Sequence, residues 1–195
     1  MKRTAMFVSL PAALVAATLI LGACGGGAPK ATATAAPKAH FETVAAGSLI
    51  ASVSVPVPRK AVLDITGRIT RPNAEGALSM DLATLERLPI SSGSIYEPFV
   101  KARTSFSGVR LSDLMTAAGA DASATGVFVT ALDDYTWTLP MGVVRSGEVL
   151  LATRENGQPI PVDRGGPIRL IFSDASTAGK ETDAWVWSVR GLDVR

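Results

Sequence analysis

A charge-free run, Ala5 to Leu21, follows Lys2 and Arg3 and ends at the small residues Gly22 and Ala23. It decides which part of the chain is left to fold. Seventeen residues sit at the short edge of a bilayer span, and a basic start with small residues at the end fits a removable export signal better. Behind it, residues 25–39 contain only Gly, Ala, Pro, Lys and Thr. Without a large apolar side chain, such a segment cannot repay the entropy of ordering, so it reads as a flexible tether. From Phe41 to Pro58 the chain is more apolar, with Val53, Val55 and Val57 alternating before Pro56 and Pro58, as in an extended arm or edge strand. Arg59 to Arg195 remains, enough for one domain with a sizeable core.

Leu21-Gly22-Ala23-Cys24 is similar to the lipobox of bacterial lipoproteins. That resemblance implies cleavage before Cys24, acylation of Cys24, and a lipid-anchored protein of the cell envelope, outside the cytoplasm. An ordinary export signal with an incidental cysteine is the alternative.

Composition then removes whole chemistries. Cys24 is the only cysteine and His40 the only histidine, so the stretch from Arg59 onward has neither thiolate nor imidazole. A Cys/His zinc site, a Cys–His or Ser–His–Asp nucleophile and a disulfide framework are all excluded there. Carboxylate chemistry remains. The same stretch carries 15 Lys/Arg against 16 Asp/Glu, a net of −1, so the basic excess belongs to the leader and tether. Nucleic-acid binding loses its electrostatic basis.

The spacing predicts strands more than helices. Val62–Ile69 reads as a strand, Asp81 as the N-cap of a short helix stopped by Pro89, and Leu111, Leu114, Met115 and Ala118 as a helix face ending at Gly119. Hairpins are expected about Asp133-Asp134 and Glu155-Asn156-Gly157. Ile168–Phe172 and Trp185–Val194 read as further strands. Many strands with a few short helices and no βαβ rhythm indicate an α+β fold with a mixed β-sheet.

The ordered segments resemble a known family. Asp64-Ile65-Thr66-Gly67-Arg68-Ile69, Phe106-Ser107-Gly108-Val109-Arg110-Leu111-Ser112-Asp113-Leu114, Ala131-Leu132-Asp133-Asp134-Tyr135, Leu150-Leu151-Ala152, Asn156-Gly157-Gln158-Pro159-Ile160 and Gly166-Pro167-Ile168-Arg169-Leu170 are similar, in order and spacing, to the oxidoreductase molybdopterin-binding domain. The resemblance implies the sulfite-oxidase-type molybdopterin-binding fold over about residues 62–194. It also implies a molybdenum-ligating cysteine about a dozen residues before Gly108, where Ser91–Tyr96 holds none. The family's Pro-Gly after its R-L run is replaced by Ser173-Asp174. The chain is closer to small, exported, single-domain relatives that lack the cysteine and bind pterins, some of them paired with membrane-bound signalling proteins. Trp187 and Val194 keep their spacing, whereas their arginine is Ala184 here, with Trp185 added.

A pterin needs an apolar slot for its faces and paired hydrogen bonds for its edge. Its 2-amino and N3–H groups suit a carboxylate. Asp133 and Asp134 are candidates, although Asp also simply favours turns. Arg169 could aim its guanidinium at a carbonyl or phosphate, or be a solvated strand arginine. Tyr135, Trp137, Trp185 and Trp187 could form a stacking wall, with Trp185 and Trp187 two apart and therefore on one face of a strand; the ordinary role of such aromatics is core. Lys180 could reach an anionic ligand. The expected function is a non-catalytic sensor or carrier binding a pterin-like molecule without molybdenum. A molybdenum-cofactor oxidoreductase using another ligand, or a protein-interaction module with a closed cleft, are the alternatives.

Overall fold

The computed structural model describes residues 40–48 and 55–195. The leader, Cys24, the tether and Val53 lie outside the described residues. Strands β1 (Glu42–Ala45), β2 (Leu63–Gly67), β3 (Leu78–Met80), β4 (Ile90–Glu97), β5 (Ala102–Arg110), β6 (Gly126–Ala131), β7 (Thr136–Pro140), β8 (Val149–Glu155), β9 (Gln158–Pro159), β10 (Arg169–Phe172) and β11 (Val189–Val194) are joined by α1 (Leu82–Leu85), α2 (Leu111–Ala118) and α3 (Met141–Arg145). One sheet runs β1-β4-β5-β8-β10 with β9 on β8, and a second runs β3-β2-β11-β6-β7. The first is antiparallel throughout; the second is mixed, since β11 pairs β2 in parallel and β6 antiparallel. This is the α+β architecture that the strand-rich pattern predicts.

Local chemistry explains most element boundaries. Asp81 caps α1 through Oδ1, which accepts the Thr84 N–H at 2.7 Å. Gly119 ends α2 in the left-handed region (φ 65°), which a bare Cα adopts without strain. Leu111, Leu114, Met115 and Ala118 are all buried, on the helix face that their spacing selects. Asn156 and Gly157, both at positive φ, turn β8 into β9.

The arm and the last strand are shaped by contacts that the local pattern does not carry. Within the arm Glu42–Ala45 is an edge strand on β4, where Phe41 plugs the core at 5% exposure and Arg110 donates to the Phe41 carbonyl and, at 3.0 Å, to Thr43 Oγ1. The packed unit thus includes residues ahead of Arg59. The final strand starts at Val189, not Trp185: Trp185 N–H closes a turn onto the Thr182 carbonyl, Val186 N–H onto Ala184, and Ser188 has φ 51°. Trp185 and Trp187 therefore do not share a strand face.

Gly108 sits where the β5–β8 register shifts, and a Cβ there would strike the Leu151 carbonyl and lie 2.7 Å from Ala152 Cα. Gly108→Ala should cost about 1–3 kcal/mol in urea unfolding. A change below about 0.5 kcal/mol would show that the two backbones have slack.

Candidate functional site

The β6–β7 turn of the second sheet and the β4–β5 turn of the first meet at a cleft of about 330 Å³, walled by Phe99, Tyr135, Trp185 and Trp187 and carrying Asp133 and Asp183. Asp133 belongs to the turn and remains open to the cleft. Its Oδ1 accepts the Tyr135 N–H at 3.1 Å, an Asx turn, while among the described residues nothing donates to Oδ2. The Tyr135 hydroxyl donates to the Asp183 carbonyl at 3.0 Å, which fixes its ring. Trp185 is buried, tilted against Phe172, and its Nε1–H donates to the Gly179 carbonyl at 2.9 Å.

Trp187 is held by backbone rather than by a strand. Ser188 N–H donates to the Gly165 carbonyl at 2.7 Å and Leu132 N–H to the Ser188 carbonyl at 2.9 Å. The indole backs onto Gly165, where a Cβ would come within 2.7 Å of the ring. Phe99 meets it edge-on at 5.5 Å between centroids.

Beneath Trp187 lies Arg169, with its guanidinium carbon 4.5 Å from the indole centroid on one side and 5.5 Å from the Phe106 ring on the other. It is 3% exposed, so it is neither solvated nor a lining group of the cleft. Its Nη2 donates to Glu97 Oε1 at 2.8 Å across the sheet, and Glu97 Oε2 accepts the Val100 N–H at 2.6 Å. Arg169 Nε has no partner among the described residues. Asp134 also stays outside the cleft, since its side chain is exposed and pairs with Arg190 Nη2 at 2.6 Å. Trp137 and Lys180 do not line it, and Trp137 borders a separate groove beside β7.

Sequence reasoning missed Glu97, Phe99 and Asp183. Glu97 stands eleven residues before Gly108, one residue beyond the Ser91–Tyr96 stretch in which the family's cysteine is expected, and only that counting could have marked it. Ser173-Asp174 has a structural role. Asp174 binds Arg103 through Oδ2 at 2.6 and 2.8 Å and accepts the Tyr96 N–H at 3.0 Å, while Ser173 Oγ donates to Glu148.

With its two sheets and few short helices, the molecule has the sulfite-oxidase-type molybdopterin-binding fold. Residues 91–190 match the oxidoreductase molybdopterin binding domain, and the chain belongs to that family. Among solved structures it resembles the sulfane dehydrogenase SoxCD from Paracoccus pantotrophus, at TM-score 0.53 and 18% identity over 87% of this chain. It spans 55% of that chain's length. The search of curated proteins returned no match. Family membership implies a molybdopterin-binding domain of oxidoreductase type and hence a pterin-type cofactor.

Glu97→Ala should destabilise the fold by about 3–5 kcal/mol in urea unfolding, because it leaves the Arg169 charge buried alone, and Glu97→Met with Arg169→Met should recover most of that loss. An equal loss in the double variant would show that shape rather than charge is at stake. Partial burial, and secondly the Asp183 carboxylate, hold the Tyr135 phenol above its ordinary value of 10.0. The neutral phenol therefore stabilises the fold below that value, and the contribution is lost as pH rises through the folded pKa. In an alkaline absorbance titration, Tyr135→Phe should remove a transition lying above 10.0; losing one at or below it would contradict the geometry.

Proposed function

We propose that this protein is a lipid-anchored binding module of the cell envelope, held through Cys24, whose cleft takes a pterin-like heterocycle without catalysing a reaction on it. The observation that carries the reading is the aromatic-walled cleft with an open carboxylate oxygen at Asp133. Tyr135 and Trp187 supply faces for a flat ring, and Asp133 supplies an acceptor for its amino and N–H edge. The tether gives such a module reach to a membrane-bound signalling partner.

The donor set argues against molybdenum. Glu97, near the position expected of the soft thiolate, is a hard carboxylate with both oxygens already accepting hydrogen bonds. Family membership favours a second reading, a molybdenum-cofactor oxidoreductase whose metal ligand comes from outside the cleft.

One experiment separates the two. The full chain, purified from a cofactor-competent host, is assayed for released metals and pterins by elemental and organic mass spectrometry, and for tryptophan quenching by added pterin. The binding module predicts pterin without molybdenum and at least about tenfold weaker quenching in Asp133→Asn, the loss of one charge-assisted hydrogen bond. Molybdenum at one per chain would establish the second reading. No pterin, bound or added, would sink the first.

A further inference from the structure

The cleft wall carries charge of one sign. Asp133 and Asp183 line it, and among the described residues no Lys or Arg does. Two guanidiniums beside the cleft already have partners. Arg169 lies under Trp187 and is neutralised by Glu97 at 2.8 Å, and Arg190 is spent on the Ala131 carbonyl through Nε at 2.9 Å and on Asp134 through Nη2 at 2.6 Å. Two donors of the wall are also spent, Tyr135 O–H on the Asp183 carbonyl and Trp185 Nε1–H on the Gly179 carbonyl. Asp133 Oδ2 and the Asp183 carboxylate, by contrast, accept no hydrogen bond from the described residues. An anion entering here meets two carboxylates and the negative faces of aromatic rings. A cation meets the same groups as partners, in a cleft where π faces and carboxylates add.

Building on the binding reading above, we infer that the cleft takes a planar organic cation, a ring system with a protonated amidine or guanidine edge, and rejects anionic forms of the same ring. The N–H groups of that edge pair with Asp133, Asp183 adds its charge from the same cleft, and the ring lies against Tyr135 and Trp187. This goes past a pterin-like shape, since it fixes the sign of the ligand's charge. It also sets this cleft apart from one that holds a phosphate through cationic side chains, none of which line it among the described residues.

Three probes of one shape and different charge test it: 2-naphthamidine, 2-naphthamide and 2-naphthoate. Each is titrated calorimetrically into the full chain held in zwitterionic lipid nanodiscs, with empty discs subtracted. The amidine should bind at least about tenfold tighter than the amide, and the naphthoate should give no saturable heat. Raising the salt to about 0.5 M should narrow the gap, because the carboxylates are solvent-accessible. Asp133→Asn keeps the Oδ1 acceptor of the turn, and it should bring the amidine to within a few-fold of the amide. Asp183→Asn is the second variant and should act in the same direction.

An amide that binds as well as the amidine would overturn the inference. So would a naphthoate that saturates, or an amidine whose affinity neither variant changes. Pterin is titrated in the same assay. Pterin binding without any preference for the amidine keeps the binding reading and sinks the charge rule. A preference for the amidine that depends on Asp133, with no pterin bound, does the reverse.

Discussion

The buried ion pair between Arg169 and Glu97 organises the face of the first sheet. A guanidinium and a carboxylate at 3% and 2% side-chain exposure have both lost water, and each is tolerable there only because the other is present. The pair reaches from the start of β10, past Phe106 of β5, to the end of β4, so strands that are not neighbours are tied at one level. Its geometry also sets the end of β4, because Glu97 receives the Val100 N–H and so shapes the turn that presents Phe99. The cleft is a by-product of that closure: Trp187 roofs the pair, and the roof is the cleft's wall.

Two turns on different sheets supply the rest of the cleft, which makes its polarity independent of its shape. Aromatic rings come from both sides, while the open carboxylates come from the β6–β7 turn and the short helical turn about Asp183. In a chain whose family membership implies a pterin-type cofactor, this cleft combines aromatic faces with open carboxylates. Glu97, near the position where the resemblance expects a soft ligand, has both carboxylate oxygens in hydrogen bonds. The residues in place of the family's Pro-Gly staple β4 and β5 to the chain after β10.

Much of the scaffold was legible in local chemistry. Asp81 and Gly119 mark helix ends by the hydrogen bonds and dihedral angles they permit, and Asn156-Gly157 marks a turn for the same reason. The segments that escaped notice owe their form to distant neighbours. Ile90-Ser91-Ser92-Gly93-Ser94 has a composition poor for a strand, yet it lies between β1 and β5 and takes their geometry. Met141-Gly142-Val143-Val144-Arg145 is a poor helix sequence in its middle, and it is held against β6 and β7. Trp185–Ser188 alternates as a strand does, but its N–H groups find partners in turns first. Within the cleft, Asp133, Tyr135, Trp185 and Trp187 could be nominated from turn and aromatic chemistry alone. Glu97 could not, because a charged residue is buried only when its partner arrives, and this partner is 72 residues away.

Trp187 and Gly165 are tied to each other by volume, since the indole occupies the space a side chain at 165 would take. That tie has an evolutionary reading. A lineage that exchanged the indole for a small residue would relieve the crowding at position 165, where the left-handed backbone (φ 83°) still favours glycine, and in the same step it would uncover Arg169, whose Nε already lacks a partner among the described residues. The cleft would gain a cationic donor without any new charged residue entering the sequence. The polarity of the cleft on this scaffold thus depends on an aromatic cover as well as on its charged residues, and it can change while the strands, the turns and the buried ion pair remain as they are.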